Sequence, residues 1–196
     1  SNVEPLVPFG DQAMRLSYLY ARQSHNLIGR YEPAHLNPVV VRASRARLRA
    51  LLSPTSLDAV IGVAASTLVS AVPDRVPTVY LSDATFHLLH NYYAKFSKLP
   101  RAIAVRAERH EQEAIDRADH LVFSSQWAAD SAIARYGAAP SKVSVIPFGA
   151  SLPETPEAVI RTPPNGSLRL LFIGGDWVRK GAATAVTAVE ELRRRG

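Results

Sequence analysis

Toward its C-terminal end the chain reads FIGGDWVRKG (Phe172 to Gly181), where Arg179 and Lys180 stand among Gly174, Gly175 and Gly181. Lys180 offers a point positive charge and Arg179 a planar fork that grips two oxygens, while the glycines let the backbone come close to an anion. Phosphate oxygens suit such a set. In isolation an Arg-Lys-Gly tripeptide is an exposed basic turn; with a strand before it and a helix after it, it reads as an anion-binding loop. A second group, SDATFHLLHNYY (Ser82 to Tyr93), places Asp83 four residues before His87. Asp83 can accept a hydrogen bond from a ligand hydroxyl and His87 can donate one. The plainer alternative is that Asp83 caps a helix starting near Ala84 and His87 lies on its surface. Ser66, Ser124 and Ser125 are further polar candidates at the ends of apolar runs. His87 and His90, with His110-Glu111 later, have metal-ligand side chains, but nothing brings the second pair to the first, and no metal site is assigned.

These groups need elements to position them. Met14, Tyr18, Ala21, His25 and Ile28 fall on one stripe of a helix over about 11 to 30, with Asp11 as cap. A second helix runs from about 39 to 52, with Val41, Leu48 and Leu52 inward and Arg42, Arg45 and Arg49 on another face. Together with Arg47 these arginines read as a solvated face, because no aromatic residues interleave with them for base stacking. DAVIGVAAS (58 to 66), VPTVYLSD (76 to 83) and DHLVFSS (119 to 125) are nearly continuous apolar runs, the pattern of strands buried on both faces of a parallel sheet. A helix over about 101 to 118 carries Ala104, Ala107, Glu111, Ala114 and Ala118 on one face, and a shorter one, about 126 to 136, starts behind Ser125. KVSVIPFG (142 to 149) supplies a fourth strand.

Strands alternating with helices argue for an open, doubly wound α/β sheet, in which ligands gather at the carboxyl ends of the strands. Ser66, Asp83, Ser124 and Ser125 stand at those ends. Residues 151–167, rich in proline and glycine, read as an inter-domain linker after a first domain over 1–150. A new unit, 168–196, opens with a strand over 168 to 174, continues as the GDWVRKG loop and ends in a helix over 182 to 195. Trp127 and Trp177 have rings that can stack on sugar rings, but Trp127 is expected instead to anchor its helix to the sheet. Tyr92, Tyr93 and Phe96 read as core or cleft wall.

Bulk composition narrows the partners. With 47% apolar and 20% charged residues the chain is an ordinary globular one, which sets disordered and fibrous architectures aside. No apolar run approaches the ~20 residues that span a bilayer. The absence of cysteine excludes disulfides and thiolate chemistry and fits a reducing cytoplasm. A net charge of +6 favours phosphorylated small molecules, anionic lipid or nucleic acid. Ser1-Asn2 reads as the scar of a cleaved tag, so the chain is expected to begin within a longer protein.

Three segments taken in order resemble the retaining glycosyltransferases of family 4, enzymes of the GT-B fold with two Rossmann-like domains facing across a cleft. They are HLVFSSQWAADSAIARYG followed by KVSVIPFGAS, the segment LRLLFIGGDWVRKGAATAVTAVEEL, and VPTVYLSDATFHLLHNYYAKFS. Together they lie within residues 58 to 196. The resemblance implies an N-terminal acceptor-side domain with its cleft at Asp83, His87, Ser124 and Ser125, and a donor-binding domain whose opening loop holds the donor phosphate at Gly174, Gly175, Arg179 and Lys180. It also implies a nucleotide-diphosphate sugar as co-substrate, no separate cofactor and no metal. The acceptor is expected to be a glycan, a lipid-linked molecule or a small molecule, with no nucleic acid partner. The expected location is the cytoplasm, with peripheral contact at the inner face of the membrane.

Several members carry a histidine where Asp83 falls and Gly-Arg where Gly174-Gly175 stands. The family's first strand and its paired catalytic glutamates are expected outside this chain, which would leave the fragment inactive. Two other readings stay open at this level: a non-catalytic Rossmann-like module that binds a glycan or partner, and a GT-B sugar-nucleotide epimerase. No residue pattern fixes an oligomeric state.

Overall fold

The computed structural model describes residues 33–53, 56–149 and 170–195, with isolated positions 15, 19 and 154. Arg15 and Leu19 are helical, and the rest of the helix expected over 11 to 30 lies outside the described residues, as does nearly all of the linker. The chain divides into two compact units, residues 1–150 and 151–196.

In the first unit, helix α1 (Pro38–Leu52) starts where the Asn37 side chain accepts from the Val39 N–H at 3.0 Å, with Pro38 supplying a preset φ at the first helical position. Strand β1 (Val60–Val63) is followed by the short helix α2 (Ser66–Val69) and strand β2 (Thr78–Ser82). Helices α3 (Phe86–Tyr92), α4 (Ala94–Ser97) and α5 (Arg101–Arg117) lead to β3 (His120–Phe123). Helix α6 (Gln126–Tyr136) then leads to β4 (Val143–Val145). Ser125 caps α6 as expected, its hydroxyl accepting from the Ala128 N–H at 3.3 Å, and Gly137 ends it in the left-handed region at φ 70°.

The four strands are all parallel, in the order β1-β2-β3-β4. Every crossover steps to the next strand in the same direction, so right-handed connections place α2, α5 and α6 on one face. One cluster of buried residues records this: Val69 of α2, Tyr80, Ala114 and Ile115 of α5, Leu121, Phe123, and Ala128, Ala129 and Ala132 of α6. The alanines explain the close seating of the helices, since each brings a backbone near the sheet at little side-chain entropy cost. The fold is the α/β, Rossmann-like parallel sheet that the alternating pattern predicts, and the described residues supply one of its helical layers.

Sequence and structure differ in places for physical reasons. β1 was expected to be buried on both faces, but Ile61 and Val63 are 64% and 63% exposed. A continuous apolar run does not distinguish a central strand from one with an open face. The short helices α2, α3 and α4 carry too few turns for periodicity to reveal them. Arg45 is not part of a solvated face. Its guanidinium donates to the Thr67 carbonyl at 2.7 Å, to His110 Nδ1 at 3.0 Å and to Glu113 at 2.7 Å, tying α1 to α2 and α5.

In the second unit, helix α7 (Ala182–Arg195) forms where expected. The strand expected over 168 to 174 does not form over its described part: residues 170–174 have no strand partner, and Leu170, Leu171 and Ile173 are exposed. A strand without a neighbour leaves its N–H and C=O groups unpaired, so an apolar run alone cannot make one.

Candidate functional site

The ends of β2 and β3 are neighbours. Ser82 pairs with Phe123 in the ladder, and the Ser124 N–H donates to the Ser82 carbonyl at 3.2 Å. Asp83 and Ser124 therefore emerge side by side at the carboxyl edge of the sheet, Asp83 exposed and Ser124 half-buried. Asp83 does not cap the following helix: Thr85 occupies the cap position of α3, without a side-chain cap bond. Its carboxylate has no hydrogen bond with any described residue. Ser125, by contrast, is committed to the α6 cap. At the end of β1, Ala64 adopts φ 47°, a left-handed conformation that disfavours any residue with a Cβ. Strain of that kind accumulates at sites where the backbone must turn toward a ligand.

His87, on the first turn of α3, is fixed from behind. Its Nδ1 lies 3.5 Å from Glu108 of α5, and its backbone N–H donates to the Tyr136 hydroxyl at 3.0 Å. That hydroxyl in turn donates to Glu108 Oε2 at 2.5 Å. Burial, and then the Glu108 carboxylate, push the Tyr136 phenol far up its titration range, so it is a permanent donor. Glu108 thus holds α3, α5 and α6 together through one carboxylate. The contact joins residues 21 positions apart and depends on how α5 seats against α3, so nothing in the sequence signals it.

Beneath this edge lies a second group. The Tyr80 hydroxyl donates to both carboxylate oxygens of Glu111, at 3.2 and 3.4 Å, and both residues are buried. Burial raises the Glu111 carboxyl to about 7, against the lowering effect of bonds from Tyr80 and Ser66. Burial also raises the Tyr80 phenol well above its ordinary range, with Glu111 adding to it. Ser66, a sequence candidate for the cleft, is therefore tied into this core network. A charged residue inside the alanine stripe of α5 was the sequence signal that could have flagged Glu111. His110, next along α5, is held neutral by burial and receives Arg45 at Nδ1. Among the described residues no three His, Cys, Asp or Glu side chains converge to hold a metal.

The basic loop lies in the second unit. Asp176 organises it: its Oδ1 accepts from the Arg179 N–H at 3.0 Å, its carbonyl accepts from the Lys180 N–H at 3.0 Å, and its Oδ2 lies 3.4 Å from the Arg179 guanidinium. The bond from Arg179 N–H holds the Asp176 carboxyl below its usual range. Gly181 then turns at φ 75° to start α7. A Cβ on Gly174 would sit 2.9 Å from Phe172 and 3.1 Å from the Lys180 Cβ, so the loop folds back until Gly174 and Lys180 touch. Gly175 has open space around it. Lys180 is exposed, and the Arg179 fork already leans on Asp176.

The sequence matches the family model described as Glycosyltransferase Family 4 over residues 4–152, more than half of its 196 residues. The chain belongs to glycosyltransferase family 4. No curated protein and no solved structure matches it significantly. Membership carries a glycosyltransferase-like function, with a sugar donor and an acceptor as substrates. The matched stretch is the unit built on the parallel sheet, whose carboxyl edge presents Asp83 and Ser124. In this glycosyltransferase-family unit Trp127 is not the anchor that it was expected to be. It is 51% exposed on α6 and meets the ring of Tyr92 rather than the sheet. No described helix is long and apolar enough to cross a membrane.

Proposed function

We propose that the protein transfers a sugar from a nucleotide-diphosphate donor to an acceptor hydroxyl, with retention at the anomeric carbon and without a metal. The observation that carries the reading is the family match across the parallel-sheet unit, together with two polar groups, Asp83 and Ser124, on adjacent strand ends. In this reading residues 1–150 form the acceptor-side domain, with the acceptor at Asp83, His87 and Ser124. The loop from Gly174 to Gly181 opens the donor-side domain. As the bond to the diphosphate stretches, negative charge builds on the leaving oxygens. Lys180, exposed and backed by Gly174, supplies a positive charge for it, and Arg179 joins if donor phosphate displaces Asp176 from its guanidinium. The net charge of +6 suits an anionic donor and an acceptor held at a cytoplasmic membrane face.

The test uses the natural open reading frame that contains this chain. Incubated with nucleotide-diphosphate sugars and glycan or lipid-linked acceptors, it should release nucleoside diphosphate only when an acceptor is present. Lys180→Ala should lower kcat/KM by about 100-fold or more, the scale of losing one group that stabilises transition-state charge, with thermal melting unchanged. Transfer at the unaltered rate in the Lys180→Ala protein would remove Lys180 from the donor site. Saccharide binding without any transfer would favour a binding module instead.

A further inference from the structure

The backbone of the basic loop spends its donors on the loop itself. The N–H groups of Arg179, Lys180, Gly181 and Ala182 go in turn to Asp176 Oδ1, Asp176 O, Val178 O and Trp177 O, at 3.0 to 3.1 Å. These four bonds close the turn and start α7, so an anion arriving here meets no open N–H at those positions. It must be held by side chains, and the segment from Gly174 to Gly181 offers two cationic ones, Arg179 and Lys180. The balance of charge around them then decides what the loop binds.

Asp176 enters that balance twice. Its Oδ1 accepts from the Arg179 N–H, and its Oδ2 lies 3.4 Å from Nε of the same residue's guanidinium. The first contact is what the turn needs, and an asparagine would supply it equally. The negative charge is not required by the turn. It falls instead on one of the two cations available to a phosphate. The Arg179 N–H holds the carboxyl below its usual range, so that charge is present throughout the neutral range.

We propose that Asp176 is a built-in competitor of the donor diphosphate: it holds the Arg179 guanidinium until a diphosphate takes it, and recovers it as the nucleoside diphosphate leaves. This role rests on the reading of the loop as the donor-phosphate site, and it adds a means of release. Two features suit exchange rather than a permanent lock. The Arg179 and Asp176 side chains are 44% and 49% exposed, so water screens the pair and little is lost on parting them. Yet Asp176 is tethered three residues away, which gives its carboxylate a high effective concentration at the guanidinium. A singly charged anion free in solution does not outcompete such a neighbour. A diphosphate does, because it can engage Lys180 and Arg179 with separate phosphates at once. After transfer the carboxylate, anchored through Oδ1 to the Arg179 N–H, is in place to return, which shortens the stay of the product.

Asp176→Asn keeps the oxygen that accepts from the Arg179 N–H and removes the charge, so the turn stays and the competition ends. The probe is inorganic pyrophosphate, titrated by calorimetry with EDTA present into the natural protein that contains this chain. Asp176→Asn should bind it about 3- to 5-fold more tightly, the scale of relieving one exposed ion pair. Damage to the loop would weaken binding instead, so the direction of the change carries the test. In an Arg179→Gln protein the same substitution should alter the affinity by less than about 2-fold, since nothing is left to compete for. In the transfer assay the product nucleoside diphosphate should inhibit Asp176→Asn at about 3- to 5-fold lower concentration. Pyrophosphate affinity unchanged or weaker in Asp176→Asn, while Lys180→Ala weakens it, would overturn the competitor and leave the donor site standing. So would an equal gain in the Arg179→Gln background, which would mean that the carboxylate repels the ligand directly. No pyrophosphate binding by the unaltered protein, or binding indifferent to both Lys180→Ala and Arg179→Gln, would overturn the donor reading of the loop and this inference with it.

Discussion

The two ends of the parallel sheet are built on opposite plans. At the amino ends of the strands, loops are fastened by cations on carbonyls. Arg117 donates to Val72 O at 3.1 Å, Pro73 O at 2.6 Å and Val76 O at 2.9 Å, gathering the loop before β2. Asp119 accepts from the Thr78 N–H at 2.8 Å, the main reason its carboxyl is held below the usual range. Lys142 donates to the carbonyls of Ile115 and Ala118 at 2.7 and 3.3 Å, placing a cation at the negative end of α5. At the carboxyl ends, Ala64 is strained, Asp83 is exposed, and neither Ala65 nor Thr85 caps its helix with a side chain. One end holds the fold together, while the other leaves the Asp83 carboxylate exposed and without a hydrogen bond to a described residue. Substitutions at the first should therefore cost stability and spare ligand binding, and those at the second should do the reverse.

The largest effect on stability is expected from Arg117→Ala. Its side chain is 12% exposed, and removing it strips three carbonyls of a charged donor, a loss of about 3 kcal/mol. The neighbouring ion pair to Asp74 adds little, because Asp74 is fully exposed. Urea denaturation should show a lower midpoint with an unchanged slope, while the remaining folded protein keeps its ligand affinity. A variant that melts normally but loses affinity would reverse the assignment of the two ends.

Glu111 lies between the ends, joined to Tyr80 in the sheet and to Ser66 behind β1, and it gives the comparison a pH axis. Its carboxyl is raised from an ordinary 4.5 to about 7, so the folded state prefers the protonated form. The stability this contributes is fully present below about pH 4.5 and is lost as pH rises through about 7. Glu111→Gln keeps an acceptor for the Tyr80 hydroxyl and removes the charge. At pH 8 the variant should be the more stable protein by up to about 3 kcal/mol, and the gap should shrink toward pH 5. Chemical denaturation at the two pH values measures it. A gap of the same size at both would mean that Glu111 is not the group that titrates.

The opposed ends were only partly legible in the sequence. Apolar runs placed four strands, and the cap at Ser125 marked the start of α6, because local chemistry decides those features. The edge position of Asp83 and Ser124 also followed, since residues that end parallel strands meet wherever the strands pair. What was not legible depends on tertiary seating. Arg45 reads like its neighbours Arg42 and Arg49 until α2 and α5 are packed against it. Trp127 reads as an anchor until α6 is rotated to put its alanines on the sheet, which turns the tryptophan outward. The strand expected near 170 failed for the complementary reason: its pattern was right, but pattern does not supply a hydrogen-bonding neighbour.

Asp83→Ala is the smallest expected change in stability and the sharpest use of the comparison. The residue is exposed and makes no hydrogen bond with a described residue, so its removal should shift the unfolding free energy by less than about 0.5 kcal/mol. If the carboxyl end is the acceptor edge, the same change removes an acceptor for a substrate hydroxyl and should raise the acceptor KM about 10-fold, with donor KM unchanged. Asp83→Asn retains a carbonyl oxygen at nearly the same place and should recover part of that loss if hydrogen bonding, rather than charge, is what the acceptor feels. Initial rates at saturating donor, with acceptor varied, separate the two. An acceptor KM unaltered in both variants would move the acceptor away from the end of β2.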